Sequence, residues 1–126
     1  MKWLAVVLSL AACATESSET KQTYLPSDAT FIRDDVPSCL QQYPDNASRG
    51  YPCCQLLTFY VDGEAVKDSG EEGFPGKYTL DGPVARGTIF GRDFVFDFTT
   101  NIATGGLVDG QWLADTENLA ASACHP

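Results

Sequence analysis

The sequence predicts a mainly β domain, a small disulfide-linked antiparallel sandwich or barrel with one short C-terminal helix. Three observations predict it. The run Asp93, Phe94, Val95, Phe96, Asp97, Phe98, Thr99 alternates with period two and puts three Phe on one face. Turn signals recur at short intervals, at Asp62 and Gly63, at Asp81 to Pro83, and at Gly91 and Arg92. Beyond residue 13 stand four cysteines, Cys39, Cys53, Cys54 and Cys124, an even set suited to cross-linking a small exported domain.

Each element follows from local chemistry. Gln55 to Val61 is rich in strand formers, and Asp62 and Gly63 turn it back into Glu64 to Lys67. The acidic, Gly-rich stretch Asp68 to Gly76 reads as a loop. Lys77 to Leu80 and Val84 to Phe90 read as strands joined at Asp81, Gly82 and Pro83, and Gly91 and Arg92 read as the turn into the Phe-striped strand. Asn101 to Gly106 reads as a turn and Leu107 to Ala114 as a strand holding Trp112. Asp115 to Ala123 reads as the short helix, with Thr116 as its cap. The count is six or so strands.

At 126 residues the chain has room for one domain once an export signal is subtracted, placed from Tyr24 to Pro126. Seven Phe, five Tyr and two Trp exclude a solvated coil. Eight basic against 17 acidic residues, a net charge of -9, exclude nucleic acid as a partner.

The N-terminus carries the compartment. Lys2 precedes an apolar run from Trp3 to Ala12, too short for a bilayer and suited to a signal peptide over residues 1 to 12. Its end, Leu10, Ala11, Ala12, Cys13, resembles the lipobox of bacterial lipoproteins. That resemblance implies cleavage before Cys13, lipid on Cys13 and a membrane partner reached through that lipid. Several acyl chains hold where one does not. In lipoproteins of two-membrane bacteria an Asp after the lipidated Cys is the usual retention signal, and with Ala14 there the resemblance favours the outer membrane. The other reading is ordinary cleavage before Thr15, which yields a secreted protein. Residues 13 to 23 lack large apolar side chains until the domain begins, and read as a tether reaching on the order of 15 to 20 Å.

The four remaining cysteines allow three pairings. Cys53 and Cys54 are neighbours, and in an extended segment they point to opposite faces, so the simplest scheme ties one to Cys39 and the other to Cys124. A redox or metal pair is disfavoured by their adjacency, and a vicinal disulfide by its strained local geometry.

Catalytic material is scarce, and the chain is read as a non-enzyme that needs no cofactor. His125 is the single histidine, which leaves no relay and no multi-histidine metal site. Asp93 and Asp97 lie about 13 Å apart along one strand, too far for paired carboxylate chemistry and suited to a solvated face. Asp68, Glu71 and Glu72 offer oxygen ligands for calcium but fail the EF-hand pattern. Asn46, Ala47, Ser48 matches a glycosylation acceptor, relevant only to a eukaryotic host.

Recognition chemistry rests on aromatic residues. Tyr43 and Tyr51 flank Pro44 to Gly50 inside the Cys39 to Cys53 interval, and with Trp112 they are the candidate ligand-binding residues. Trp112 also suits the core. The functional expectation is an envelope-anchored binding module for a protein or glycan. The alternative is an inhibitor of a cell-wall-degrading enzyme such as lysozyme, to which an acidic surface is suited. No stretch matches the Ser- and Gly-containing inhibitory loop of the lysozyme-inhibitor lipoproteins, so nothing is carried over from them.

Overall fold

A computed structural model of the chain describes residues 23 to 70 and 72 to 124. The signal peptide, Cys13, most of the tether, Glu71 and His125 lie outside the described residues.

Eight antiparallel strands follow one another around a closed barrel: β1 (Ala29–Arg33), β2 (Gln55–Phe59), β3 (Glu64–Ser69), β4 (Glu72–Asp81), β5 (Val84–Ile89), β6 (Arg92–Asp97), β7 (Ile102–Thr104) and β8 (Gly110–Ala114). Each strand pairs with the next, and β8 returns to β1 in the register Phe31 to Ala114. Closure leaves no unpaired sheet edge. Helix α1 (Val36–Gln42) lies between β1 and β2, and helix α2 (Ala120–Ala123) ends the described chain.

An eight-stranded barrel is just wide enough for side chains to fill it, and here rings do so. Phe59 meets Phe31, Tyr78, Phe94, Phe96 and Phe98, with centroids 5.1 to 6.3 Å apart. The Phe stripe faces inward as its alternation requires, with Phe94 and Phe96 buried and Phe98 packed against them. Gly87 on β5 lets the β4 backbone come close. A Cβ there would lie 1.9 Å from the carbonyl oxygen of Lys77. The outer wall of β3 to β5 is polar, exposing Glu64, Lys77, Thr79, Arg86 and Thr88. This is the reverse of a lipid-facing barrel, whose outside is apolar. Among the described residues no helix is long and apolar enough to cross a membrane.

A second cluster sits outside the barrel. Ile32 and Leu56 point outward from β1 and β2 and pack beneath Val36, Ala123 and Cys124. Two disulfides bind this layer, Cys39 to Cys53 and Cys54 to Cys124, with Cα atoms 5.6 and 4.7 Å apart.

The barrel has two distinct ends. At the near end the described chain enters, the carbonyl of Thr23 accepting from the Leu80 amide at 2.8 Å. Tyr24 lies against Gly63, and the Tyr78 hydroxyl accepts from the Leu25 amide and donates to the Tyr60 carbonyl. The far end carries α1, the β3 to β4, β5 to β6 and β7 to β8 connections, and the start of β2.

Several local expectations are corrected. Asp68 to Gly76 is not a loop. The strands β3 and β4 pair as far as Ser69 and Glu72, and tight pairing on both flanks outweighs the low strand propensity of Gly73, Pro75 and Gly76. The β5 to β6 turn is Phe90 and Gly91, not Gly91 and Arg92, with φ of +53° and +76°. Asn101 to Gly106 contains β7, a strand of three residues too short to show a period. Leu107 and Val108 belong to a 3-10 turn rather than to β8. The terminal helix is only Ala120–Ala123, with Leu119 rather than Thr116 at its N-cap, and the Asp115 carboxylate accepts from the Leu119 and Ala120 amides at 2.7 and 3.0 Å. Strand β1 and helix α1 carried no expectation.

Candidate functional site

The segment from α1 to β2 is built by short-range backbone bonds and then fixed from outside. Pro37 stands in the first turn of α1, where its missing N–H costs nothing. The Cys39 carbonyl receives the Tyr43 amide at 2.8 Å, and the Tyr43 carbonyl receives the Asn46 amide at 3.0 Å. A 3-10 turn over Asn46–Arg49 ends at Gly50 and Tyr51, both left-handed with φ of +80° and +62°. Glycine takes this conformation freely, whereas Tyr51 is strained in it.

Asn46 is the hub. It is 3% exposed, its side-chain amide donates to the carbonyls of Ser122 and Ala123 at 2.7 and 3.0 Å, and its side-chain oxygen accepts from the Cys53 amide at 2.9 Å. The loop is thereby tied to α2 and to the disulfide at once. The nitrogen that glycosylation would modify is committed to these bonds inside the fold.

Between loop and α2 runs a groove of about 560 Å³ with Tyr43 and Tyr51 on its walls and Leu40, Ala47, Leu119 and Ala121 between them. The Asp45 carboxylate accepts from Arg49 Nε at 2.9 Å, and the guanidinium stands 5.3 Å from the Tyr43 ring centroid. The groove therefore offers apolar area and two phenol rings, with the Asp45 and Arg49 ion pair beside Tyr43. That chemistry suits recognition of a peptide, a protein edge or a sugar face, and supplies no general base beside a nucleophile.

The three candidate ligand-binding residues do not come together. Tyr43 and Tyr51 share the groove, while Trp112 is 0% exposed inside the barrel. Its indole Nε1 donates to the Val108 carbonyl at 2.8 Å, and Arg33 stacks on its ring at 4.3 Å. Asp93 and Asp97 are also apart in role. Asp93 is exposed, whereas Asp97 closes the β6 to β7 turn by accepting from the Thr99 amide at 2.8 Å. Among the described residues no three His, Cys, Asp or Glu side chains are grouped as metal ligands.

Sequence reasoning missed a buried cation. Lys67 points into the far end of the barrel, 4% exposed, and donates to the side-chain oxygens of Gln55 and Ser69. Its pKa is lowered from 10.5 to about 8, by burial foremost and then by Arg33, with Asp68 working in the opposite sense. Burial also lowers Arg33, against the pull of Asp35, Asp34 and Asp109. Arg33 donates to the carbonyl of Asp109 at 2.6 Å and so holds the β7 to β8 turn. The signal for Lys67 was the alternation of Ala65, Lys67 and Ser69, which places all three on the inner face.

Comparison with family models, curated proteins and solved structures finds no match to this chain.

Proposed function

We propose that the protein is an envelope lipoprotein, anchored through lipid on Cys13, that works as a non-catalytic binding module through the Tyr43 and Tyr51 groove. The observation that carries the binding reading is the fixing of that groove. A disulfide and the three side-chain bonds of Asn46 hold the loop that carries both phenol rings before any ligand arrives. Rings ordered in advance lose little entropy on binding. The anchoring reading rests on Leu10 to Cys13 and on the acidic surface, which anionic lipid would repel without an acyl anchor.

Two measurements on the mature chain from its native host test the two halves. An intact mass that includes lipid on Cys13, and release of a Cys13→Ser variant into the soluble fraction, are expected. A lipid-free chain starting at Thr15 overturns the anchor. Titration with soluble peptidoglycan fragments, and separately with solubilised envelope proteins, is expected to shift the NMR amide signals of residues 43 to 51 and 119 to 122. Tyr43→Ser combined with Tyr51→Gly should abolish those shifts, and shifts confined to another face overturn the groove. The net charge of -9 favours a second reading, inhibition of a basic cell-wall-degrading enzyme. Saturable inhibition of lysozyme separates it from the first.

A further inference from the structure

The far end of the barrel carries a residue that breaks a local rule. A two-residue hairpin turn with both central φ positive is normally Asn-Gly or Asp-Gly. Between β5 and β6 it is Phe90-Gly91, with Phe90 at φ +53°. The turn is well formed, since Ile89 and Arg92 pair directly on either side of it and the Phe90 amide donates to the Pro75 carbonyl at 3.0 Å. The left-handed conformation crowds any Cβ, and a bulky ring gains nothing there that Asn would not supply better. Nor does burial compensate. Phe90 is 64% exposed, the most exposed large apolar side chain among the described residues, and touches one ring, Phe74, edge to face at 5.2 Å.

We propose that Phe90 is the anchor of a protein-docking surface at the far end, inserting into an apolar pocket rimmed by basic residues on the partner. Charge around the knob selects that partner. The loops and strand starts at this end expose Asp34, Asp35, Glu72, Asp93 and Asp109, against two exposed cations among the described residues, Arg92 and Arg49, the latter paired with Asp45. The other two cations at this end face inward, Lys67 onto Gln55 and Ser69 and Arg33 onto backbone carbonyls. An apolar knob in an acidic rim repels anionic lipid and repels a second copy of itself, and it complements a basic surface. The described chain begins at the opposite end, where the Thr23 carbonyl accepts from the Leu80 amide. Strain and exposure retained together at one aromatic residue are the pattern of a contact residue rather than of packing.

The test has two readouts. In the first, Phe90→Asn in the full mature chain is expected to raise Tm by about 4 °C, because Asn accepts the left-handed turn. A fall in Tm would show that the ring is a packing residue held by Phe74, and would overturn the proposal. In the second, a benzoylphenylalanine probe at position 90 is photo-activated in the producing cells, with the same probe at Val61 on the near end as control. A single adduct from position 90 and none from 61, to a protein of basic isoelectric point, is expected. Purified, that partner should bind the Phe90→Asn chain about thirtyfold more weakly than the parent and lose affinity as salt rises. An adduct with the mass of two copies, an adduct to lipid, equal adducts from both positions, or none at all overturns it.

Discussion

Inside the barrel Phe59 alone meets five other rings, and no covalent link crosses that core. On the outer wall, Ile32, Val36, Cys54, Leu56, Ala123 and Cys124 form a much smaller cluster that both disulfides border or enter. The difference follows from what orders each layer. Closed strand pairing fixes the backbone around the interior, so packed rings suffice. Helices of seven and four residues are too short to persist alone, and the little apolar area they cover does not hold them. Cross-links stand in for the missing area.

The largest expected effect tests the interior. Phe96→Ala removes a fully buried ring in contact with Phe31, Phe59 and Phe98, and should cost about 3 to 5 kcal/mol in urea unfolding. A cost near that of a surface change would break the comparison. Next come the staples. The Cys54 to Cys124 bridge spans a separation of 70 residues and the Cys39 to Cys53 bridge one of 14. Chain entropy gives about 4 kcal/mol for the longer loop and about 3 for the shorter. Paired Cys→Ser variants should rank in that order, with the near-ultraviolet signal of the interior rings preserved in both. The reverse order would mean that the groove loop carries native-state contacts beyond its cross-link. Gly87→Ala should cost about 1 to 3 kcal/mol, because the new methyl meets backbone rather than a side chain that can swing away.

A pH slope tests the buried polar groups of both ends. Lys67 has a folded pKa of about 8 against an ordinary 10.5, so between those values the unfolded chain holds the extra proton and stability rises with pH. Tyr60 and Tyr78 act in the opposite sense. Burial foremost raises both phenols above 10.0, so above that pH the unfolded chain loses their protons first and stability falls. Chemical denaturation from pH 7 to 11 should therefore show a shallow maximum near pH 10. Lys67→Met should flatten the rise and leave the fall.

The β class, the inward Phe stripe and three of the turn regions were legible because period-two alternation and Asp-Gly signals are local. Eight strands rather than six were not. Strand β7 has three residues, and the first half of β4 is Gly- and Pro-rich, so both exist through their neighbours' pairing rather than their own propensity. The groove was half legible. Tyr43 and Tyr51 stood out as aromatic residues in a cysteine-bounded loop, but their meeting across α2 depends on Asn46 reaching residues far along the chain. Trp112 looked the same in sequence whether facing in or out. Phe90 was hidden by a one-residue difference in turn placement, which moves a strand residue onto the apex.

The adjacency of Cys53 and Cys54 also constrains how the protein comes to be oxidised. Exchanging their partners would give Cys39 to Cys54 and Cys53 to Cys124, a mispaired isomer reached by rotating one dipeptide. Thiols so close do not discriminate between partners by proximity. Discrimination must come from the fold around the dipeptide, where the Cys53 amide is bound by Asn46 Oδ1 and Cys54 leads directly into strand β2. Oxidation ahead of sheet formation is therefore expected to yield scrambled chains, and refolding of the reduced chain with a thiol isomerase is expected to recover the native bridges faster than refolding without it.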